Sequence, residues 1–256
     1  MRYALISDIH ANLPALEAVL ADVARRADIA ATWHLGDLVG YAPWPNETVA
    51  LLRAHGISGV AGNYDSTVAT RYRHCGCQYE DPRQEQLSHQ SYAWTLAHVS
   101  EETRRFLDGL PFRVTIRPAG GHASGPEITL VHGNQALNTV YVFAERSDGF
   151  LEKMGGALGA RAGEVVCFGH THKPWHRVVN GVHFVNTGSV GRPKDGDWRA
   201  GYILLGVTPD AVDVEFVRVE YDVERAARAI VASTLPDDFA NHLRTGGREA
   251  GRPAAG

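Results

Sequence analysis

Residues 29–40, Ile-Ala-Ala-Thr-Trp-His-Leu-Gly-Asp-Leu-Val-Gly, decide how the chain is read. An apolar run from Ile29 to Leu35 ends at Gly36, and the next residue is a carboxylate, Asp37. A single Gly-Asp is an ordinary turn pair. Here four other apolar runs end in a comparable way. Tyr3–Ser7 leads into Asp8 and His10, Ile57–Gly62 into Asn63, Ile128–Val131 into His132, and Val165–Gly169 into His170 and His172.

Working outward from Asp37, residues 2–7 read as a buried strand. Asn12 caps a helix from Leu13 to Arg26, with Pro14 in its first turn and Leu16, Val19, Leu20, Val23 and Ala27 along one face. The strand ending at Leu35 follows, then a helix from Pro45-Asn46 to Gly56, then a strand over Ile57–Ala61. Strand, helix, strand, helix, strand favours a parallel arrangement with right-handed crossovers.

The rhythm then breaks. Residues 64–82 are polar and mixed and read as an irregular insertion, with helices expected over 83–98 and 100–108. Strands at 112–117 and 127–131 flank a glycine-rich turn, Ala119 to Pro126, and read as a hairpin. A helix over 144–155 precedes the strand Glu164–Phe168. Asn180-Gly181 between Trp175–Val179 and Val182–Val185 is a two-residue hairpin signal. Two more strands, 201–207 and 211–219, precede a helix carrying Val223, Ala226, Ala227, Ile230 and Val231.

No linker or repeat interrupts this order. The expected fold is α/β: a four-layer αββα sandwich of two mixed β-sheets flanked by helices. It forms a single domain over 1–245, with the irregular and helical insertion around 64–110 and a disordered tail over 246–256.

The bulk numbers set bounds. With 44% hydrophobic and 21% charged residues the 256-residue chain has ordinary globular composition, and its net charge of −4 disfavours long nucleic acid as a partner. No apolar stretch approaches the length of a membrane span. Three cysteines make no disulfide framework: Cys75 and Cys77 read as free thiols in a loop and Cys167 as a core residue. With no signal peptide at Met1, this fits a reducing cytoplasm.

In α/β sheets ligands sit beyond the carboxyl ends of strands, so Asp8, His10, Asp37, Asn63, His132, His170 and His172 are expected to converge. Imidazoles with carboxylates suit manganese, iron, zinc or nickel better than magnesium or calcium. Seven donors are too many for one tetrahedral ion and suit two divalent metal ions sharing a carboxylate. Such a pair activates water and clamps a phosphoryl group.

The blocks Asp8-Ile9-His10, Gly36-Asp37-Leu38-Val39-Gly40, Gly62-Asn63-Tyr64-Asp65, His132-Gly133 and Gly169-His170-Thr171-His172 occur in order. With them the chain resembles the calcineurin-like metallophosphoesterases. Asn186-Thr187-Gly188-Ser189-Val190 resembles a segment of the family's small bacterial phosphodiesterase branch. The resemblance implies the two-sheet sandwich and one metal held by Asp8, His10, Asp37 and His172. A second would be held by Asp37, Asn63, His132 and His170, with Asp37 bridging and manganese the leading choice of metal.

It further implies a phosphodiesterase that attacks phosphorus in line with a metal-bridging hydroxide. Phosphomonoesterase, dinucleoside polyphosphate hydrolase and, in another class, a protein-binding scaffold of the same fold stand as alternatives.

The third block departs from the family, which places a histidine where this chain has Tyr64. In relatives that histidine, oriented by the acid that follows it, protonates the leaving oxygen or steadies the transition state, and the resemblance implies Asp37, Asn63, Tyr64 and Asp65 as the catalytic set here. Tyrosine, with an ordinary pKa of about 10, is a poor proton relay near neutrality. It either hydrogen-bonds a phosphate or lines the wall. The expectation that follows is a preference for diesters, or for esters with good leaving groups.

Tyr41, Asn134 and Arg192 are candidate contacts to a small phosphorylated substrate, with Lys194 beside Arg192 able to join a second-phosphate site. His34 reads as a core histidine. Oligomeric state stays open, a homo-oligomer included.

Overall fold

The computed structural model describes residues 1–79, 81–118 and 125–248. Among these residues ten strands form two five-stranded sheets. One has the order β10 (Val212–Val219), β9 (Ala200–Val207), β1 (Arg2–Ile6), β2 (Ile29–His34), β3 (Ser58–Gly59). The other has the order β4 (Val114–Ile116), β5 (Ile128–Leu130), β6 (Val165–Phe168), β8 (Val182–Asn186), β7 (Trp175–Val179). Parallel pairs β1–β2, β2–β3, β5–β6 and β6–β8 make both sheets mixed. The expected sandwich is therefore the observed fold.

Alternation along the central strands explains the layers. In β1, Tyr3 and Leu5 point between the sheets and meet Ile203 and Leu205 of β9 and Val165 and Cys167 of β6. Ala4 and Ile6 point the other way, onto Leu16, Val19 and Val23 of α1 (Leu13–Ala24). Val166 and Phe168 of β6 likewise face Leu151 and Met154 of α6 (Asp148–Leu158). Strands covered on both faces read as continuous apolar runs, as these do. Each buried Val, Leu, Ile, Phe or Met side chain contributes about 1.5–3 kcal/mol by leaving water.

Helices α2 (Pro45–Ala54), α4 (Pro82–His98), α5 (Glu101–Asp108) and α7 (Val223–Ala232) match their expected positions within a few residues. Two short helices were not expected. Helix α3 (Asn63–Ala69) begins inside the third motif, where the sequence reads as irregular loop. Asp65, at its third position, reaches back to the Gly62 N–H and closes the first turn. Helix α8 (Asp238–Thr245) buries Phe239, Ala240 and Leu243 and stops at Gly246 in the left-handed conformation. Strand β3 shrinks to two residues.

Asn180 and Gly181 both adopt positive φ, the turn expected of that pair. Strands β4 and β5 pair antiparallel, as the hairpin reading requires, while most of its turn lies outside the described residues. So do the last eight residues of the tail. Cys75 and Cys77 correct the reading as free thiols: they are joined to each other, their Cα atoms 5.5 Å apart. A Cys-x-Cys pair gives no framework signal in sequence, because it closes only a three-residue loop. Cys167 is a buried free cysteine in β6, as expected.

Candidate metal centre

The two sheets are stitched together at the carboxyl ends of their strands. Val190 N–H donates to Ser7 O and Gly191 N–H to Asp8 O, at 2.9 and 3.0 Å. Ser189 Oγ donates to Asp8 O, and Asn12, which caps α1, donates to Gly191 O. The Asn186–Val190 segment thus carries the loop after β8 onto the loop after β1. Asn186 also donates to Gly169 O and Thr171 Oγ, which holds the loop between His170 and His172.

All seven expected ligands come together there, each no more than 3% exposed. Asp8, His10 and His172 form one group able to hold a metal ion, and Asp37, His132 and His170 form a second. Asp37 lies between them: its Oδ2 is 3.8 Å from His10 Nε2 and 3.4 Å from His132 Nε2. Asn63 joins the second group, with Oδ1 3.1 Å from His132 Nε2. In the first, His172 Nε2 is 3.2 Å from Asp8 Oδ1.

The protonation pattern fits cations. His10 Nδ1 bonds Val39 O, His172 Nδ1 bonds Arg192 O and His132 Nδ1 bonds Leu35 O, so each ring places its proton on Nδ1. The Nε2 lone pairs then face inward. Those of His10 and His172 point at each other across 3.1 Å, while His132 Nε2 faces the Asn63 and Asp37 oxygens. Asp8 Oδ1 and His170 Nε2 are buried without a hydrogen-bond partner among the described residues. Lone pairs converging in a buried space require a positive charge between them.

The same conclusion comes from the titration shifts. Burial and the neighbouring His172 push the His10 pKa down to about 3. Burial, with His132 for His170 and Lys194 for His172, lowers those two well below the ordinary range. His132 is the exception: burial, the largest influence, opposes its charge, but Asp37, together with Asp8 and the Leu35 carbonyl, raises its pKa to about 10. A cation bound there takes the place of that proton.

The backbone is bent to make this possible. Asp8, His10, Asp37, His170 and His172 all have φ between 49 and 66°. Non-glycine residues in that region cost roughly 1–2 kcal/mol each. Strain repeated at five of the expected ligands marks a site rather than ordinary turns. Gly62 lets the third motif approach the second, since a Cβ there would lie 2.1 Å from Asp37 Oδ1.

The other expected site residues occupy varied positions. Tyr64 is 1% exposed and its ring packs edge-on to His10 and Tyr92. Its hydroxyl lies 3.4 Å from Ser88 Oγ, and burial and Tyr41 hold its pKa well above 10. Asp65 accepts from Leu38 N–H and Gly62 N–H, both at 2.9 Å, which ties the loop after Asp37 to α3. Asn134 Oδ1 accepts from the Ala136 and Leu137 N–H groups and shapes its own loop.

Tyr41 stands over His10 at 4.9 Å between centroids, with the Arg192 guanidinium 4.1 Å above its ring. His34 is fully buried in the fold, as expected of a core residue. Sequence reasoning missed Tyr141, which stacks on His170 at 4.0 Å, and Ser88, the hub that joins the Tyr41, Tyr64 and Tyr79 hydroxyls. Neither lies in a motif or on a strand end.

A two-sheet sandwich with metal-binding side chains gathered at its strand ends is the architecture of a metallophosphoesterase. The chain belongs to the calcineurin-like phosphoesterase superfamily, whose domain profile matches residues 1–210. It is 31% identical over 262 residues to the uncharacterized protein MJ0912 of Methanocaldococcus jannaschii, covering 95% of this chain and 97% of that one. A metallophosphoesterase of Sphaerobacter thermophilus is similar in structure, with TM-score 0.73, 29% identity and coverage of 96% and 99% of the two chains. The hypothetical protein PH1004 of Pyrococcus horikoshii shares the fold at TM-score 0.79 and 20% identity, over 97% and 99%. Membership implies a phosphoesterase hydrolase that uses divalent metals. No helix among the described residues is long and apolar enough to cross a membrane.

Proposed function

We propose that the chain is a dinuclear metal-dependent phosphodiesterase, working best with manganese. Asp8, His10, Asp37 and His172 hold one ion, and Asp37, Asn63, His132 and His170 the other. The observation that carries this is the position of Asp37, whose Oδ2 lies within 4 Å of a histidine nitrogen in each group. When bound, two such ions activate water and neutralise charge on a phosphoryl group.

The chain's own residues set the frame. Ser7 Oγ and the His170 N–H hold Asp8 Oδ2, and the Tyr64 N–H holds Asp37 Oδ1, so each carboxylate keeps its other oxygen for metal. Hydrogen bonds of this kind to the far side of a ligand fix its orientation. Tyr64 and Asp65 serve as positioning residues: one supplies a backbone N–H and a wall, the other a clamp.

The preference for diesters rests on what stands at position 64. A tyrosine whose hydroxyl is turned to Ser88 and held well above pH 10 does not protonate a leaving oxygen near neutrality. Losing a general acid costs about 10²–10⁴-fold, and least with leaving groups that need no proton.

A panel with added Mn²⁺ tests the reading: aryl diesters, cyclic nucleotides, dinucleoside polyphosphates, and aryl and alkyl monoesters. The expected order places activated diesters about 100-fold or more above alkyl monoesters in kcat/KM. Alkyl monoesters as the best substrates would overturn the diester reading. No hydrolysis of any member would overturn the enzyme.

A further inference from the structure

Beside the first ligand group lie two cations that no carboxylate claims. Arg192 and Lys194 follow the Asn186–Val190 segment, half-buried, and among the described residues neither forms an ion pair. The acids nearest in sequence are engaged elsewhere: Asp195 pairs with Arg218, and Asp197 with Arg199 and Arg218. Arg192 Nε is buried with no hydrogen-bond partner among the described residues. Such groups are costly unless an anion completes them.

The pair is held in place, not loose. The guanidinium lies 4.1 Å from the Tyr41 ring centroid and 5.9 Å from that of Phe239 on α8. His242, also on α8, bonds Pro193 O between the two cations at 2.9 Å, and the Gly196 N–H donates to Gly246 O just past the helix. His172 Nδ1 bonds Arg192 O, so the cationic loop holds a candidate metal ligand by a direct hydrogen bond. Helix α8 therefore braces this loop against the site.

We propose that Arg192 and Lys194 form a subsite for a second phosphoryl group, one adjacent to the phosphorus that the metal groups address. The substrate class is then one in which two phosphoryl groups are linked, as in a phosphoanhydride. This rests on the phosphodiesterase reading and deepens it, since a phosphoryl leaving group needs no proton from position 64. An aryl or alkyl ester with a single phosphoryl leaves the two cations without an anion.

The test compares methylenediphosphonate with methylphosphonate, as probes of two linked phosphoryls and of one. Binding to the Mn²⁺-loaded protein is measured by calorimetry, alongside the Arg192→Met, Arg192→Lys and Lys194→Met variants. Metal content and melting temperature of each variant are checked first. The wild type should bind the bisphosphonate at least tenfold tighter. Arg192→Met and Lys194→Met should each lose about tenfold or more of that affinity, with methylphosphonate changed less than about threefold and Arg192→Lys between. Equal affinity for both probes in the wild type, or equal losses for both in the variants, overturns the subsite. Because the readout is binding, absence of hydrolysis in the substrate panel would sink the enzymatic reading without deciding this one.

Discussion

Nε2 of His10 and Nε2 of His172 lie 3.1 Å apart, although each ring already gives its Nδ1 to a backbone carbonyl. Two lone pairs at that distance repel unless a cation lies against both. The residues come from the two different sheets, His10 after β1 and His172 after β6. The contact is therefore part of what the sandwich is built to present.

Asp37→Asn should reduce binding at both ligand groups, because Oδ2 faces His10 and His132 alike. Asp8→Asn should weaken mainly the first group and His132→Ala mainly the second. Metal content per chain after equilibration with Mn²⁺ reads this directly. Equal loss of both ions in all three variants would remove Asp37 from the bridging position.

Metal binding should release about one proton at pH 7–8. His132 keeps its proton up to about pH 10 beside Asp37, while His10 is neutral above about pH 3. An ion entering the second group must displace the His132 proton, so its affinity should rise about tenfold per pH unit through this range. The metal-free protein should show the opposite trend in stability. A pKa raised above 6.5 contributes stability that is complete below about pH 6.5 and lost as pH rises through about 10. Calorimetry in buffers of different ionisation enthalpy counts the proton; no buffer dependence would contradict the assignment.

Much of this centre is legible in the sequence because each of five apolar runs is followed by a candidate ligand, and such a run ends where a strand does. Asp8, Asp37, His132 and His170 announce themselves in that way. The walls do not. Phe239 lies on an eight-residue helix with only three buried apolar positions, Ser88 lies mid-helix in the insertion, and Tyr141 lies in a loop without periodicity. Their roles come from tertiary packing that no local pattern encodes. The α3 helix was obscured for a related reason: its first turn consists of Asn63, Tyr64 and Asp65, whose side chains serve the site and leave no apolar stripe to read.

Gly62→Ala should abolish activity by displacing Asp37 rather than by unfolding the sandwich. The added Cβ would sit 2.1 Å from Asp37 Oδ1 and 2.2 Å from its backbone nitrogen, contacts that only movement can relieve. Overpacking of this kind costs about 1–3 kcal/mol. The expected outcome is a folded protein by circular dichroism, a lower melting temperature and reduced metal content. Full metal content with full activity would show that the second and third motifs have slack.

Tyr64→His should shift the enzyme toward monoesters. Gly40 leaves room for the Tyr64 ring, since a Cβ at position 40 would come within 2.6 Å of it, and the hydroxyl points to Ser88. An imidazole at the same Cα is shorter and leaves Ser88 to Tyr41 and Tyr79. Asp65, with both oxygens on backbone N–H groups, is not free to orient the new ring, so the gain should be partial, about tenfold in the ratio of p-nitrophenyl phosphate to bis-p-nitrophenyl phosphate turnover. Lost burial of a side chain only 1% exposed should lower stability by about 1–3 kcal/mol. The kcat of the monoester is the deciding quantity, because a proton donor acts on the chemical step rather than on binding. An unchanged monoester kcat with metals still bound would mean that the loss of the family histidine is not what sets leaving-group preference.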